Sequence, residues 1–194
     1  VMTMTTALLF SISGVLMFIG AAHVQNIAVQ CLLLTTGLST VLVGLGYAGL
    51  GAQVFFKRSD GRLSPLSWLV HGPHLVLSHL ALTLHRSLSS EASHHEVVPG
   101  LFLGRRLSRR EALTLEVKAV LDVAPELSEV GALRENADYH LVPMLDGAAC
   151  SPVRLGAAAA WIDKRLSQGS VYVHCALGHG RSAAVVVAYL LKSR

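Results

Sequence analysis

Two long apolar runs open the chain. Residues 5–22, TTALLFSISGVLMFIGAA, carry no charge, and residues 27–56 stay uncharged after a short polar HVQN. As helices rising 1.5 Å per residue, each is long enough for a hydrocarbon core of about 30 Å. The pattern predicts a transmembrane helical hairpin with HVQN as its turn. Gly44 and Ala48 are four apart and offer a small-residue surface for close helix contact. The third apolar run, residues 64–86, is different. His71, His74, Ser78 and His85 recur at helical spacing on one face, and Pro73 interrupts the run. It fits an amphipathic helix at the membrane interface, or a third span. Its histidines read as a wet stripe, because no acid or thiol joins them. Residues 87–96, SLSSEASHHE, are small and polar and predict a linker in which His94 and His95 are solvated.

From residue 97 onward the periodicity alternates between strand and helix. VVPGLFLGR predicts strand with a turn inside it, and SRREALTLEV a helix. KAVLDVAPE and YHLVPMLD (residues 139–146) predict two further strands. SPVRLGAAAAWIDKRLSQG has Ser151 as N-cap, Pro152 at the first helical position and Gly169 as its stop. VYVHC is continuously apolar up to its histidine, as a central parallel strand covered on both faces must be. RSAAVVVAYLLKS predicts a buried helix. The expectation is an α/β domain with a central, mostly parallel sheet flanked by helices, ending in a strand–loop–helix unit. The organisation expected is two transmembrane helices over 1–56, a basic turn, third helix and linker over 57–96, and the α/β domain over 97–194.

Composition sharpens that division. Of 194 residues, 52% are hydrophobic and only 14% charged, with a mean hydropathy of +0.53. All sixteen Lys/Arg and twelve Asp/Glu lie at or beyond Lys57. Lys57, Arg58 and Arg62 follow the second apolar run and place its end on the cytoplasmic side. A hairpin that ends inside begins inside, so the protein is expected to be multi-pass with its α/β domain facing the cytoplasm. The net charge of +4 is small, and no basic run with interleaved aromatics points to nucleic acid. Three scattered cysteines, Cys31, Cys150 and Cys175, suit neither a disulfide framework nor a zinc site.

The chemistry concentrates near the end of the chain. HCALGHGRS (174–182) sits between the last strand and the last helix. Ligands of such sheets bind beyond the carboxyl ends of strands. A helix N-terminus carries unpaired N–H groups and a partial positive charge. A glycine-containing loop running into it aims backbone amides at one anion. Arg181 adds a planar fork of donors suited to phosphate oxygens. The same field lowers the pKa of Cys175 below the free value of about 8.5.

His-Cys, five residues, then Arg-Ser resembles the signature of the cysteine-based protein tyrosine phosphatases, and the domain looks most like their dual-specificity branch. GLFLGR, VLDVAPE and the aspartate of VPMLDG extend the likeness over residues 97–194, half the chain. The resemblance implies a phosphocysteine mechanism. Cys175 would attack phosphorus. The amides of Ala176, Leu177, Gly178, His179 and Gly180, with the Arg181 guanidinium, would bind the phosphate. Asp146 would act as general acid and then base, Ser182 would ease departure of the thiolate, and His174 would order the loop. Asp122 and Asp163 are the rival acids, expected to be structural and on a helix surface. No metal or cofactor is implied. His179 departs from the Lys or Arg that lipid-directed relatives carry in this loop. Cys150 is placed to form a protective disulfide with Cys175, or is incidental. The domain also resembles relatives that continue past this helix, so the chain is expected to be longer in nature or to lack its last helices.

Three readings follow. The first is a membrane-tethered phosphatase acting on phosphotyrosine, and on phosphoserine or phosphothreonine. The second is a phosphatase of phosphatidylglycerol phosphate or phosphoinositide headgroups, and the third a phosphate-binding scaffold without turnover. The expected partners are a phosphoprotein or phospholipid substrate and the membrane, with no nucleic acid.

Overall fold

The computed structural model describes residues 2–193 and divides into two compact units. The first comprises Val1–Lys57, Leu63–Ser87 and Pro125–Leu127; the second comprises Arg58–Arg62, Leu88–Ala124 and Ser128–Arg194.

In the first unit, α1 (Met2–Ala22) and α2 (Ile27–Leu45) form an antiparallel pair joined through the HVQN turn. Asn26 caps α2, its side chain accepting from the amides of Ala28 and Val29. The pair is close because glycines line the seam. A Cβ on Gly44 would meet Ser11 Oγ at 2.4 Å, and one on Gly14 would meet Val41 Cγ2 at 2.6 Å. Of the two small residues noted in the sequence, Gly44 lies in the seam together with Gly14 and Gly37, whereas Ala48 falls in the irregular turn that follows. The expected second helix was longer than the one found. Beyond Leu45 the chain passes through a π turn (Gly46–Leu50) and a 3-10 turn (Gly51–Phe55). Gly49 and Gly51 adopt φ of 138° and 74°, which break the α-ladder. By length and composition, two helical stretches are fit to cross a membrane, Met4–Ala22 and Ile27–Phe55.

Helix α3 (Pro65–Leu88) is not among those spans. Its histidine face corrects the expectation of a uniformly wet stripe. His71 is wholly buried, with Nδ1 against Ser39 Oγ at 2.8 Å and Nε2 against the Val54 carbonyl at 2.7 Å. Two polar partners inside the unit satisfy both ring nitrogens, so burial carries no unmet hydrogen bond.

In the second unit five strands lie in the order β1-β2-β5-β3-β4. Their ranges are His94–Val98, Leu101–Arg105, Ala119–Asp122, Asp138–Leu141 and Val171–Cys175 for β1 to β5. Only the β1–β2 pair is antiparallel; β2–β5, β5–β3 and β3–β4 are parallel. The expected mostly parallel sheet is present, with two differences at its ends. β1 takes in His94, His95 and Glu96, read from the sequence as linker. β4 stops at Leu141, shorter than expected, and the segment beyond it stays tied to the end of β3, with the Val142 and Met144 amides donating to the Asp122 and Val123 carbonyls.

Side chains of β5 alternate between two cores, as strand geometry requires. Val171, Val173 and Cys175 face α6 (Pro152–Leu166) and α7 (Arg181–Lys192), packing on Ile162, Val185 and Val186. Tyr172 faces α4 (Arg109–Thr114) and α5 (Gly131–Asn136), among Leu107, Ala112 and Leu133. α5 had no counterpart in the sequence reading. Each fully buried aliphatic side chain contributes about 1.5–3 kcal/mol, and with all five residues buried β5 is a rigid platform for the residues at its end. α4 begins with a capping box in which the Ser108 hydroxyl accepts from the Glu111 amide and the Glu111 carboxylate from the Ser108 amide.

Candidate active site

β5 delivers Cys175 at its carboxyl end, buried at 3% exposure. The chain then makes a five-residue loop and enters α7 at Arg181. Gly178 is central to that loop. Its φ is +89°, and a Cβ there would lie 2.8 Å from the Gly104 carbonyl carbon and 2.9 Å from the Arg105 nitrogen. No other residue fits both the backbone conformation and the close approach to the end of β2. The Arg106 amide donates to the Ala176 carbonyl at 3.1 Å and ties the loop to the same strand end.

The loop curls around the sulfur. Gly178 N–H donates to Cys175 Sγ at 3.2 Å, and the Ser182 hydroxyl donates to it at 3.3 Å. Burial alone pushes the Cys175 thiol up. The Ser182 hydroxyl and amide, the Arg181 charge and the Gly178 amide together outweigh burial, and the net pKa lies below the ordinary cysteine value. Ser182 is fully buried and Arg181 nearly so. Arg181 Nη1 donates to the Met144 carbonyl at 3.1 Å, and its Nε lies 3.2 Å from Asp146 Oδ1. The carboxylate of Asp146 is 78% exposed. It sits on the segment after β4, where Gly147 turns the chain with φ of 65°. Arg154 from α6 donates to the Pro143 carbonyl at 3.2 Å and steadies that segment.

The structure therefore brings Cys175, Arg181, Ser182 and Asp146 together around the loop of Ala176, Leu177, Gly178, His179 and Gly180. His179 points away from the sulfur, to Glu91 Oε2 at 2.8 Å, in an exposed pair. Of the rival acids, Asp163 is exposed on α6 and Asp122 is buried, accepting from Tyr139 Oη at 2.7 Å and from the Ala124 amide at 2.8 Å. Cys150 is half-buried against the core that contains Cys175, and both are free thiols.

Beneath the loop lies a cluster that the sequence did not announce. His174 directs Nδ1 at the Cys175 carbonyl, 3.2 Å away. Its Nε2 lies 2.5 Å from Glu129 Oε2 and 3.9 Å from Asp122 Oδ1. The β3–β5 register sets Asp122 directly opposite His174. Among the described residues, this is the group whose ligand-type atoms converge, all within 4.8 Å. Metal–ligand bonds of about 2.0–2.2 Å hold donor atoms more than about 3 Å apart. The 2.5 Å Glu129–His174 separation is instead that of an ion pair. Glu129 lay in PELSE, a stretch with neither helical nor strand periodicity, so no pattern marked it.

The family described as dual specificity phosphatase, catalytic domain, matches residues 101–194. Over 135 residues the chain is 34% identical to dual specificity protein phosphatase 26 of Rattus norvegicus, covering 63% of this chain and 62% of that protein. It is 32% identical over 147 residues to the Homo sapiens protein of the same name, covering 69% and 67%. The chain thus spans less than two thirds of the rat relative's length. Among solved structures, Tk-PTP in its active form superposes with a TM-score of 0.49 at 28% identity, covering 53% of this chain and 74% of that one.

Proposed function

The chain belongs to the dual specificity phosphatase family, and from that premise we propose that it hydrolyses phosphate monoesters of proteins through a phosphocysteine. The observation that carries the reading is the geometry around Cys175 Sγ, which accepts from the Gly178 amide and the Ser182 hydroxyl at the entrance to the helix that begins with Arg181. In the first step the Cys175 thiolate attacks phosphorus in line. An S–P bond forms as the ester P–O bond breaks, and Asp146 gives its proton to the leaving oxygen. Phosphate displaces the Asp146 carboxylate from Arg181, and the freed carboxylate takes up from solvent the proton that it then delivers. The loop amides and Arg181 hold the equatorial oxygens most tightly as charge spreads in the transition state. In the second step Asp146 takes a proton from water, the oxygen attacks phosphorus, and the thiolate leaves with the Ser182 hydroxyl directed at it. Inorganic phosphate is released.

The substrate assigned is a phosphorylated side chain, phosphotyrosine first and phosphoserine or phosphothreonine second. The only ionisable group in the loop, His179, is already engaged by Glu91, so the loop offers no free cation for a second phosphate on one ring. We further place α1 and α2 in the membrane and the catalytic unit on its cytoplasmic face, on the strength of the uncharged runs and of Lys57, Arg58 and Arg62. The test is hydrolysis of an aryl phosphate by the 194-residue chain in detergent. Turnover that disappears in Cys175→Ser supports the reading, and turnover that survives it removes the nucleophile. A panel of phosphopeptides against phosphoinositides and phosphatidylglycerol phosphate in micelles tests the substrate class. Protease access in sealed vesicles tests the side.

A further inference from the structure

His174 has an oxygen near each ring nitrogen: the Cys175 carbonyl 3.2 Å from Nδ1, and the Glu129 carboxylate in an ion-pair contact 2.5 Å from Nε2. A neutral imidazole carries one proton and would set a lone pair against one of these oxygens. All three groups are buried, at 1% exposure for His174, 4% for Glu129 and 3% for Cys175, so water cannot relieve such a clash. With Glu129 as a carboxylate, the arrangement is satisfied by an imidazolium.

We propose that Glu129 is a positioning residue for the nucleophile: its carboxylate holds His174 as a doubly protonated imidazolium, which grips the Cys175 carbonyl and stabilises the thiolate. Calling Cys175 a nucleophile rests on the phosphatase reading above; its titration does not.

Other groups around the ring do not substitute for Glu129. Asp122, from β3, is 3.9 Å from Nε2 and already accepts from Tyr139 of β4 and from the Ala124 amide. Tyr172, on β5, stacks on His174 with centroids 5.2 Å apart and planes at 21°, a face that favours a cation. Burial holds the Tyr172 phenol well above its ordinary pKa, so it stays neutral; the other charges acting on it are Glu129, Arg105 at the end of β2, Glu111 on α4 and Cys175 itself. Arg134, on α5, donates to the Glu129 carbonyl and not to its carboxylate. The backbone at Glu129 is anchored on every side. The Glu129 amide donates to the Gly61 carbonyl at 2.8 Å, Arg106 Nε to the Ser128 carbonyl at 2.6 Å, and the Val130 amide to Glu129 Oε1 at 2.6 Å. A carboxylate so placed is preorganised rather than incidental.

The variant that isolates charge from shape is Glu129→Gln, whose amide can donate to a bare Nε2 while Nδ1–H keeps the Cys175 carbonyl. The rate of iodoacetamide labelling of Cys175 would be measured against pH in the intact chain, with mass spectrometry separating Cys175 from Cys31 and Cys150. With the imidazolium charge gone, the thiol pKa is expected to rise by about one unit, so labelling on the acid side of the transition falls about tenfold. An unchanged or lower thiol pKa in E129Q overturns the proposal. A second measurement needs no variant: the 15N shifts of His174 in the unsubstituted chain at pH 7 are expected to show both ring nitrogens protonated. One unprotonated nitrogen overturns the proposal equally. Failure of the phosphatase reading would appear separately, as absence of aryl phosphate turnover by the unsubstituted chain, and leaves these two results to decide the role of Glu129.

Discussion

Although burial raises its pKa, Cys175 is ionised at lower pH than an ordinary thiol because the Ser182 hydroxyl and amide, the Arg181 charge and the Gly178 amide act on it at once. Removing the Ser182 hydroxyl with Ser182→Ala takes away one of them. The thiol pKa is expected to rise, and the labelling curve of Cys175 to move to higher pH. If the phosphatase reading holds, turnover on the acid side requires the thiolate, so activity falls as pH drops through the Cys175 pKa. That limb moves upward in Ser182→Ala. Asp146→Asn keeps the contact to Arg181 but has no proton to give. The expected loss in kcat is roughly 10²–10⁴-fold on an alkyl phosphate, the range for one acid–base group. Loss is smaller on an aryl phosphate whose leaving oxygen needs no proton, and equal losses on the two would remove Asp146 from the role. The signature, the cysteine and the arginine were plain in the sequence because their spacing is local. Glu129 was not, because its meaning depends on the β3–β5 register that sets His174 above the end of β3.

At the level of elements, the loop between β5 and α7 keeps its shape through Gly178 and through the Arg106 amide, which donates to the Ala176 carbonyl. Gly178→Ala must force a Cβ into the backbone of Gly104 and Arg105 at a φ of +89°. Strain of about 1–3 kcal/mol is expected, read as a lower melting temperature together with loss of turnover. An alanine variant as stable as the original would show that the loop has another conformation. Glu111 closes the α4 capping box and pairs with Arg105, with Arg105 Nη2 2.7 Å from Glu111 Oε1. Burial raises the Glu111 pKa, but the Arg105 hydrogen bond and the Ser108 amide and hydroxyl lower it further, to about 2. A carboxylate whose folded pKa is depressed stabilises the fold above its unfolded value of about 4.3 and loses that contribution as pH falls through the folded pKa. The stability gap between the original chain and Glu111→Gln, measured by denaturant midpoints, is therefore expected at pH 7 and to vanish between about pH 4.5 and 2. A gap independent of pH would remove the ion pair as its cause. Ser151 was readable as a cap, since N-caps are local. The six-residue α5 was not, having no side-chain cap and too few turns to show a period.

The whole molecule joins two units of opposite character. α1 and α2 leave Leu8, Leu9, Ile12, Leu16, Ile19 and Leu32 exposed, with no charged residue before Lys57. Such a surface is what the proposed membrane placement requires. The full chain is expected to float with phosphatidylcholine vesicles and to resist extraction at high pH. Recovery in the aqueous fraction would remove the membrane assignment. Much of this architecture was settled by the order of residues alone. Uncharged runs long enough to span a bilayer, strand and helix periods, caps, and a cysteine and arginine separated by one loop are all properties of neighbours along the chain. Folding decided the rest. It buried His71 between two partners from other segments, ended α2 at glycines that the hydropathy pattern ran past, and turned linker residues 94–96 into an edge strand. It also set Glu129 and Asp122 under His174. Each of these depends on contacts between residues far apart in the chain, and no local pattern encodes which distant segment will supply a partner.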